Sequence, residues 1–184
     1  MPVLSDRVGT FTDSVIRRMT RINNQYDSIN LSQGFPDFDP PQPLLDALAR
    51  AAYNGPHQYA VTFGAQNFRE ALARKTSPAL HHAVDPNTEI CVTRGGTEAM
   101  MAAMMTICNP GDKVMIFSPF YENYGADAIL SGAEPIYIPL VPPTYEFDIS
   151  LIEKGFAEGA KALILCNPSN PCGKVFRRDE LEAI

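Results

Sequence analysis

The sequence predicts an α/β fold, a mostly parallel sheet with helices on both faces. From Glu89 onward the short β-type runs EICVTR, KVMIFS, PIYIPL and KALILC follow one another, separated by the helical segments TEAMMAAMMTIC, YENYGADAILSG and DISLIEKGF. The runs are apolar on both faces, as parallel strands between two helical layers are, and the order is βαβαβαβ with right-handed crossovers. Ligands of such sheets collect beyond the carboxyl ends of the strands. Chemistry is therefore expected just after Thr93, Phe117 and Cys166.

Composition narrows the function classes. At 184 residues, 45% hydrophobic and 20% charged, the chain has the length of one domain and ordinary globular proportions. A net charge of −6, with 15 Lys and Arg and no basic cluster longer than Arg17-Arg18 or Arg177-Arg178, offers no footprint for nucleic acid. The apolar runs are strand-sized and no apolar signal core opens the chain, so no membrane partner and a cytoplasmic location are expected. Cys91, Cys108, Cys166 and Cys172 lie far apart without a CxxC, which predicts no metal site and buried thiols of a reducing compartment. Only Cys172 falls in a polar turn, where it is either reactive or a bystander.

In the first part of the chain, Phe11, Val15, Met19, Ile22 and Tyr26 recur at helical spacing after Thr10 or Thr12, either of which could cap a helix packed by one face. The stretch LSQGFPDFDPPQP from Leu31 to Pro43 carries five prolines and glycines and predicts an irregular loop. A helix from Pro43 to about Tyr53, the turn Asn54-Gly55-Pro56, the stretch HQYAVTFGA and a helix around Phe68, Leu72 and Lys75 follow. The lysines Lys75, Lys113, Lys154, Lys161 and Lys174 all read as solvated surface charges.

Three loops carry the unusual residues. Thr93-Arg94-Gly95-Gly96-Thr97-Glu98-Ala99 places two glycines and a hydroxyl at the start of a helix, after a strand expected to end near Arg94. Unpaired N–H groups, a partial positive charge and open backbone there suit a phosphate, although a plain Gly-rich turn with a Thr cap reads the same way. The pattern is neither GxGxxG nor GxxxxGK[ST], which disfavours nicotinamide dinucleotides and nucleoside triphosphates. Ser118-Pro119-Phe120-Tyr121-Glu122-Asn123-Tyr124 sets aromatics at a strand end, either to stack on a flat ligand ring or to cap the sheet. Asn167-Pro168-Ser169-Asn170-Pro171-Cys172-Gly173 holds two asparagines in fixed extended or turn geometry.

In this order and spacing, INLSQGFPDF, QYAVTFG, TRGGTEAM, SPFYENY and NPSNPCG resemble the class I and II aminotransferases of pyridoxal-phosphate (PLP) fold type I, over essentially the whole chain. The resemblance implies that residues 31–184 are the N-terminal half of the cofactor-binding large domain and residues 1–30 an arm on the small-domain side. It implies that Gly95, Gly96 and Thr97 hold the phosphate of PLP, that Tyr121 stacks on its ring, and that Asn170 bonds the ring's phenolic oxygen. It also implies that Gly34 offers its backbone to the substrate carboxylate, and that Tyr59 reaches the partner subunit's phosphate in a homodimer. The Schiff-base lysine, the acidic partner of the ring nitrogen and the substrate-clamping arginine are expected beyond Ile184, so no catalytic residue is assigned within the chain. One departure is Cys172, where the family usually has Thr. The expected activity of the whole protein is transfer of an amino group from an L-amino acid to a 2-oxo acid. A PLP lyase or synthase, or an inert truncated product, are the alternatives.

Overall fold

The computed structural model describes residues 3–10 and 13–184. The elements are a short 3-10 turn (Asp6–Thr10), α1 (Val15–Tyr26), α2 (Gln42–Asn54), α3 (Gln66–Leu80), α4 (Gly95–Ile107), β1 (Lys113–Ser118), α5 (Asn123–Leu130), β2 (Glu134–Pro139), α6 (Ile149–Ala157), β3 (Ala160–Ile164) and α7 (Arg178–Ala183). They divide into two compact units, one of Met1–Arg21 with Gly95–Ile184 and the other of Ile22–Arg94.

In the first unit the strands form a parallel sheet of order β2-β1-β3, with Met115 opposite Ile136 and Leu163. Alternation along β1 sends Val114 and Ile116 into one core with Met104 and Cys108 from the α4 side and Ala128 of α5, and sends Met115 and Phe117 into the other with Ile152 of α6, Ile138 and Phe176. Helices therefore cover both faces of the central strand, as the pattern predicts. On the α6 face the approach is close: a Cβ on Gly155 would overlap the side chain of Met115. Within α5, burial pushes the pKa of the Asp127 carboxyl up, and its Oδ2 finds no hydrogen-bond partner among the described residues.

The second unit holds α2, α3 and two irregular stretches. Its buried polar centre is Arg69, whose guanidinium donates to the carbonyls of Gly64 and Pro86 and to the Gln66 side chain. Gly64 has φ of +105°, and a side chain there would overlap Val92, so this turn requires glycine.

Several expectations are corrected. The run EICVTR is not a strand; Val92 N–H is bonded to the Phe63 carbonyl, and the sheet has three strands instead of four. A β-propensity run becomes a strand only where a neighbouring ladder takes its backbone groups. Helix α1 starts at Val15 and its cap is Ser14, whose Oγ accepts the Arg17 N–H and whose carbonyl accepts the Arg18 N–H. The expected helix start at Phe11 and the candidate cap Thr12 lie outside the described residues. The apolar stripe Val15, Met19, Ile22 and Tyr26 is exposed rather than packed, each residue keeping 40% or more of its surface accessible. Of the cysteines only Cys108 is buried, Cys91 being exposed and Cys166 and Cys172 half-buried. Lys174 is no surface charge: its side chain is 5% exposed, Nζ pairs with Glu180 at 2.8 Å, and it lies 5.0 Å from the centre of the Phe176 ring.

Candidate active site

The site is built from the starts of α4 and α5 and the turn after β3. Helix α4 begins at Gly95, where φ is +79°, a conformation that favours glycine. A Cβ added to Gly95 or Gly96 would meet no atom within 4 Å, so both glycines leave the backbone at this helix start open to approach. The glycines and Thr97 thus open a helix as expected, while the strand expected before them is absent. The acidic Glu98 lies in the same first turn.

The segment after β1 makes a separate connection with each of three successive residues. The Tyr121 ring meets the Tyr124 ring edge-on at 5.8 Å between centroids. Both carboxylate oxygens of Glu122 are engaged at the start of α1, accepting from Ser14 Oγ and, at 3.1 Å, from the Val15 N–H. Negative charge there complements the partial positive charge of the α1 start. Asn123 Nδ2 donates to Thr97 Oγ1 at 2.9 Å, joining this segment to the start of α4. Phe120 stacks on Tyr137 of β2 with centroids 5.2 Å apart and nearly parallel planes.

The turn after β3 is held by its own backbone. Ser169 N–H is bonded to the Lys174 carbonyl and Gly173 N–H to that of Ser169, while Asn167 Oδ1 accepts the Phe176 N–H at 3.0 Å. Gly173 has φ of +71°, which lets the chain reverse. The Lys174–Glu180 pair then anchors the turn to α7, and Glu180 also accepts the Arg177 N–H as half of a capping box. The Lys174 ammonium holds the Glu180 carboxyl below its ordinary range.

Phe120, Tyr124, Cys166, Ser169 and Asn170 line one small cavity beyond the strand ends. In it the Tyr124 hydroxyl is pushed up to about 12, first by its hydrogen bond with Cys166 and then by burial. Cys166 Sγ in turn donates to the Pro168 carbonyl.

The structure thus brings Gly95, Gly96, Thr97, Tyr121 and Asn170 into one unit, linked through Asn123 and Tyr124. Gly34 and Tyr59 belong to the other unit, where Gly34 is exposed and Tyr59 fully so. Sequence reasoning gave no role to Glu122 or Asn123, read Tyr124 only as one of the aromatics at a strand end, and read Cys166 only as a buried thiol. Glu122, Asn123 and Tyr124 stood inside the quoted motif SPFYENY and Cys166 at the end of a strand run, yet Asn123 is 26 positions from Thr97 and no local pattern reports such a contact. Among the described residues no cluster of His, Cys, Asp and Glu could hold a metal, and no helix is long and apolar enough to cross a membrane.

The chain is also similar to known proteins. The family model "Aminotransferase class I and II" matches residues 26–184. The methionine aminotransferase of Escherichia coli K12 is 36% identical over 171 residues, covering 93% of this chain and 44% of that protein. A probable N-succinyldiaminopimelate aminotransferase of Mycobacterium tuberculosis is 34% identical over 180 residues, covering 97% of this chain and 45% of that protein. The crystal structure of Escherichia coli YbdL, for which a methionine aminotransferase function is described, superposes with a TM-score of 0.90 at 33% identity, covering all of this chain and 48% of that one. The chain spans about half the length of the relatives it matches.

Proposed function

Because this chain belongs to the class I and II aminotransferases, we propose that the full-length protein is a PLP-dependent aminotransferase moving an amino group from an L-amino acid to a 2-oxo acid. The observation that carries the proposal is the linkage of three loops into one site: Asn123 to Thr97, and Tyr124 lining a common cavity with Asn170. When bound, PLP supplies the electron sink that labilises the amino acid's Cα–H bond. The chain fits that cofactor. Gly95 and Gly96 leave the α4 start open to a phosphate, and the Thr97 hydroxyl adds a donor. Tyr121 offers a ring face for stacking, and the Asn170 amide a donor for the phenolic oxygen.

The same proposal gives Gly34 the substrate carboxylate. It gives Tyr59 the phosphate of a partner subunit in a homodimer, a role its complete exposure suits. It keeps 31–184 as half of a large domain, with 1–30 as an arm, in a protein of the cytoplasm. The Schiff-base lysine belongs to the remainder of the protein.

The test uses the purified full-length protein, incubated with PLP and 2-oxoglutarate and offered aspartate, alanine, methionine, glutamine or kynurenine in turn. Expected are stoichiometric PLP, one pyridoxyl-lysine after borohydride reduction, and glutamate formed from at least one donor. Cleavage products released from cysteine-type substrates without a 2-oxo acid would assign a lyase instead. Absence of bound PLP would leave the inert reading.

A further inference from the structure

We propose that Asn123 is a positioning residue for the cofactor's phosphate, fixing the rotor of Thr97 so that the threonine hydroxyl donates its proton outward. The inference rests on the PLP reading above and deepens it. A hydroxyl carries one proton and two lone pairs, so one that accepts from an amide N–H keeps its proton for another acceptor. Asn123 Nδ2 donates to Thr97 Oγ1 at 2.9 Å, and this leaves the proton free for an anion at the start of α4.

Other helical threonines of the chain behave differently. Thr20, Thr76 and Thr106 each give their proton to the carbonyl one turn back, on Ile16, Leu72 and Ala102. Thr97 is the third residue of α4 and has no helical turn behind it, so that local sink is missing. The two glycines before it offer no side chain to fix the rotor instead. Asn123 is itself held, as the first residue of α5 and between Glu122, tied to α1, and Tyr124, whose N–H is bonded to the Tyr121 carbonyl. The same four-residue segment, Tyr121 to Tyr124, thus carries the stacking ring and the group that aims the phosphate donor.

The experiment compares full-length wild type with Asn123→Ala, Asn123→Asp, Thr97→Val and the double variant Asn123→Ala/Thr97→Val. It reads the PLP dissociation constant by equilibrium dialysis, and the ³¹P resonance of the bound phosphate against pH. Loss of one neutral hydrogen bond predicts affinity about fivefold weaker in Asn123→Ala. If Asn123 acts through Thr97, the same substitution changes nothing further in the Thr97→Val background. Asn123→Asp is isosteric but can only accept, so it captures the threonine proton and sets a negative charge beside the phosphate. It is expected to weaken PLP more than Asn123→Ala and to move the ³¹P titration upward, and it keeps the test readable should the alanine variant fold poorly.

Asparagine and threonine effects that multiply independently, or an Asn123→Asp protein with wild-type affinity and phosphate titration, would overturn the inference while leaving the PLP reading intact. A wild-type protein with no bound ³¹P signal would overturn both.

Discussion

The two units were read from the same kinds of local pattern and end in opposite states of burial. In the sheet unit Val114, Met115 and Ile116 are fully buried, and every buried apolar residue of the described chain except Ala73 belongs to this unit. In the other unit Leu44, Leu48, Tyr53, Val61 and Phe63 all remain more than half exposed. Both contain well-formed helices of similar length. The difference is that β1 is flanked by two strands and offers two apolar faces for α4, α5 and α6, whereas α2 and α3 have no sheet to lie on within their own unit. Amphipathic spacing is enough to form a helix; a core needs a partner surface of matching extent.

The largest expected effect tests that contrast directly. Ile116→Ala removes a fully buried side chain from the sheet core and should lower the free energy of unfolding by about 3 kcal/mol, read from urea midpoints at unchanged slope. Leu48→Ala, at 68% exposure, should stay within about 0.5 kcal/mol. A Leu48 effect as large as that at Ile116 would mean that α2 is covered in the intact protein, and would erase the contrast.

The next effect concerns a charge buried inside the sheet unit. Lys174→Met leaves the largely buried Glu180 with only the exposed Arg177 as a cationic partner and should cost about 2 kcal/mol at neutral pH. The Glu180 carboxyl is depressed in the folded state, so its contribution is fully present above its ordinary value near 4.5 and is lost as pH falls through the lower folded value. The gap between wild type and Lys174→Met in urea titrations should therefore narrow below pH 4.5. A pH-independent gap would show that the Lys174 ammonium contributes through the Phe147 and Phe176 rings it lies over rather than through Glu180.

The smallest effect lies at the N-terminal arm. Ser14→Ala removes the α1 cap and one bond to Glu122, at about 1 kcal/mol, seen as faster amide exchange in the first turn of α1. Unchanged exchange at Arg17 would show that Glu122, through the Val15 N–H, caps this helix alone.

Much of this was legible in advance. KVMIFS, PIYIPL and KALILC form strands, and α2 to α6 fall where helical spacing puts them, because period and propensity are properties of a few neighbouring residues. The glycines at 95 and 96 announced an open helix start for the same reason. EICVTR has the same local look as its neighbours and is no strand, since pairing depends on a ladder far away in sequence. Lys174 read as a surface charge because nothing nearby reveals that Phe147, Phe176 and Glu180 enclose it.

The sequence by itself determined the α/β order from β1 to β3, the three loops that carry the unusual residues and the resemblance to the class I and II aminotransferases. Only the tertiary structure decided which apolar faces are covered, that Glu122 binds the start of α1, that Tyr124 and Asn170 share a cavity, and that Asn123 reaches Thr97. Each of these contacts joins positions at least 26 residues apart. Local chemistry fixes what a residue can donate, accept or bury, while the packing of distant elements selects which of those possibilities is used.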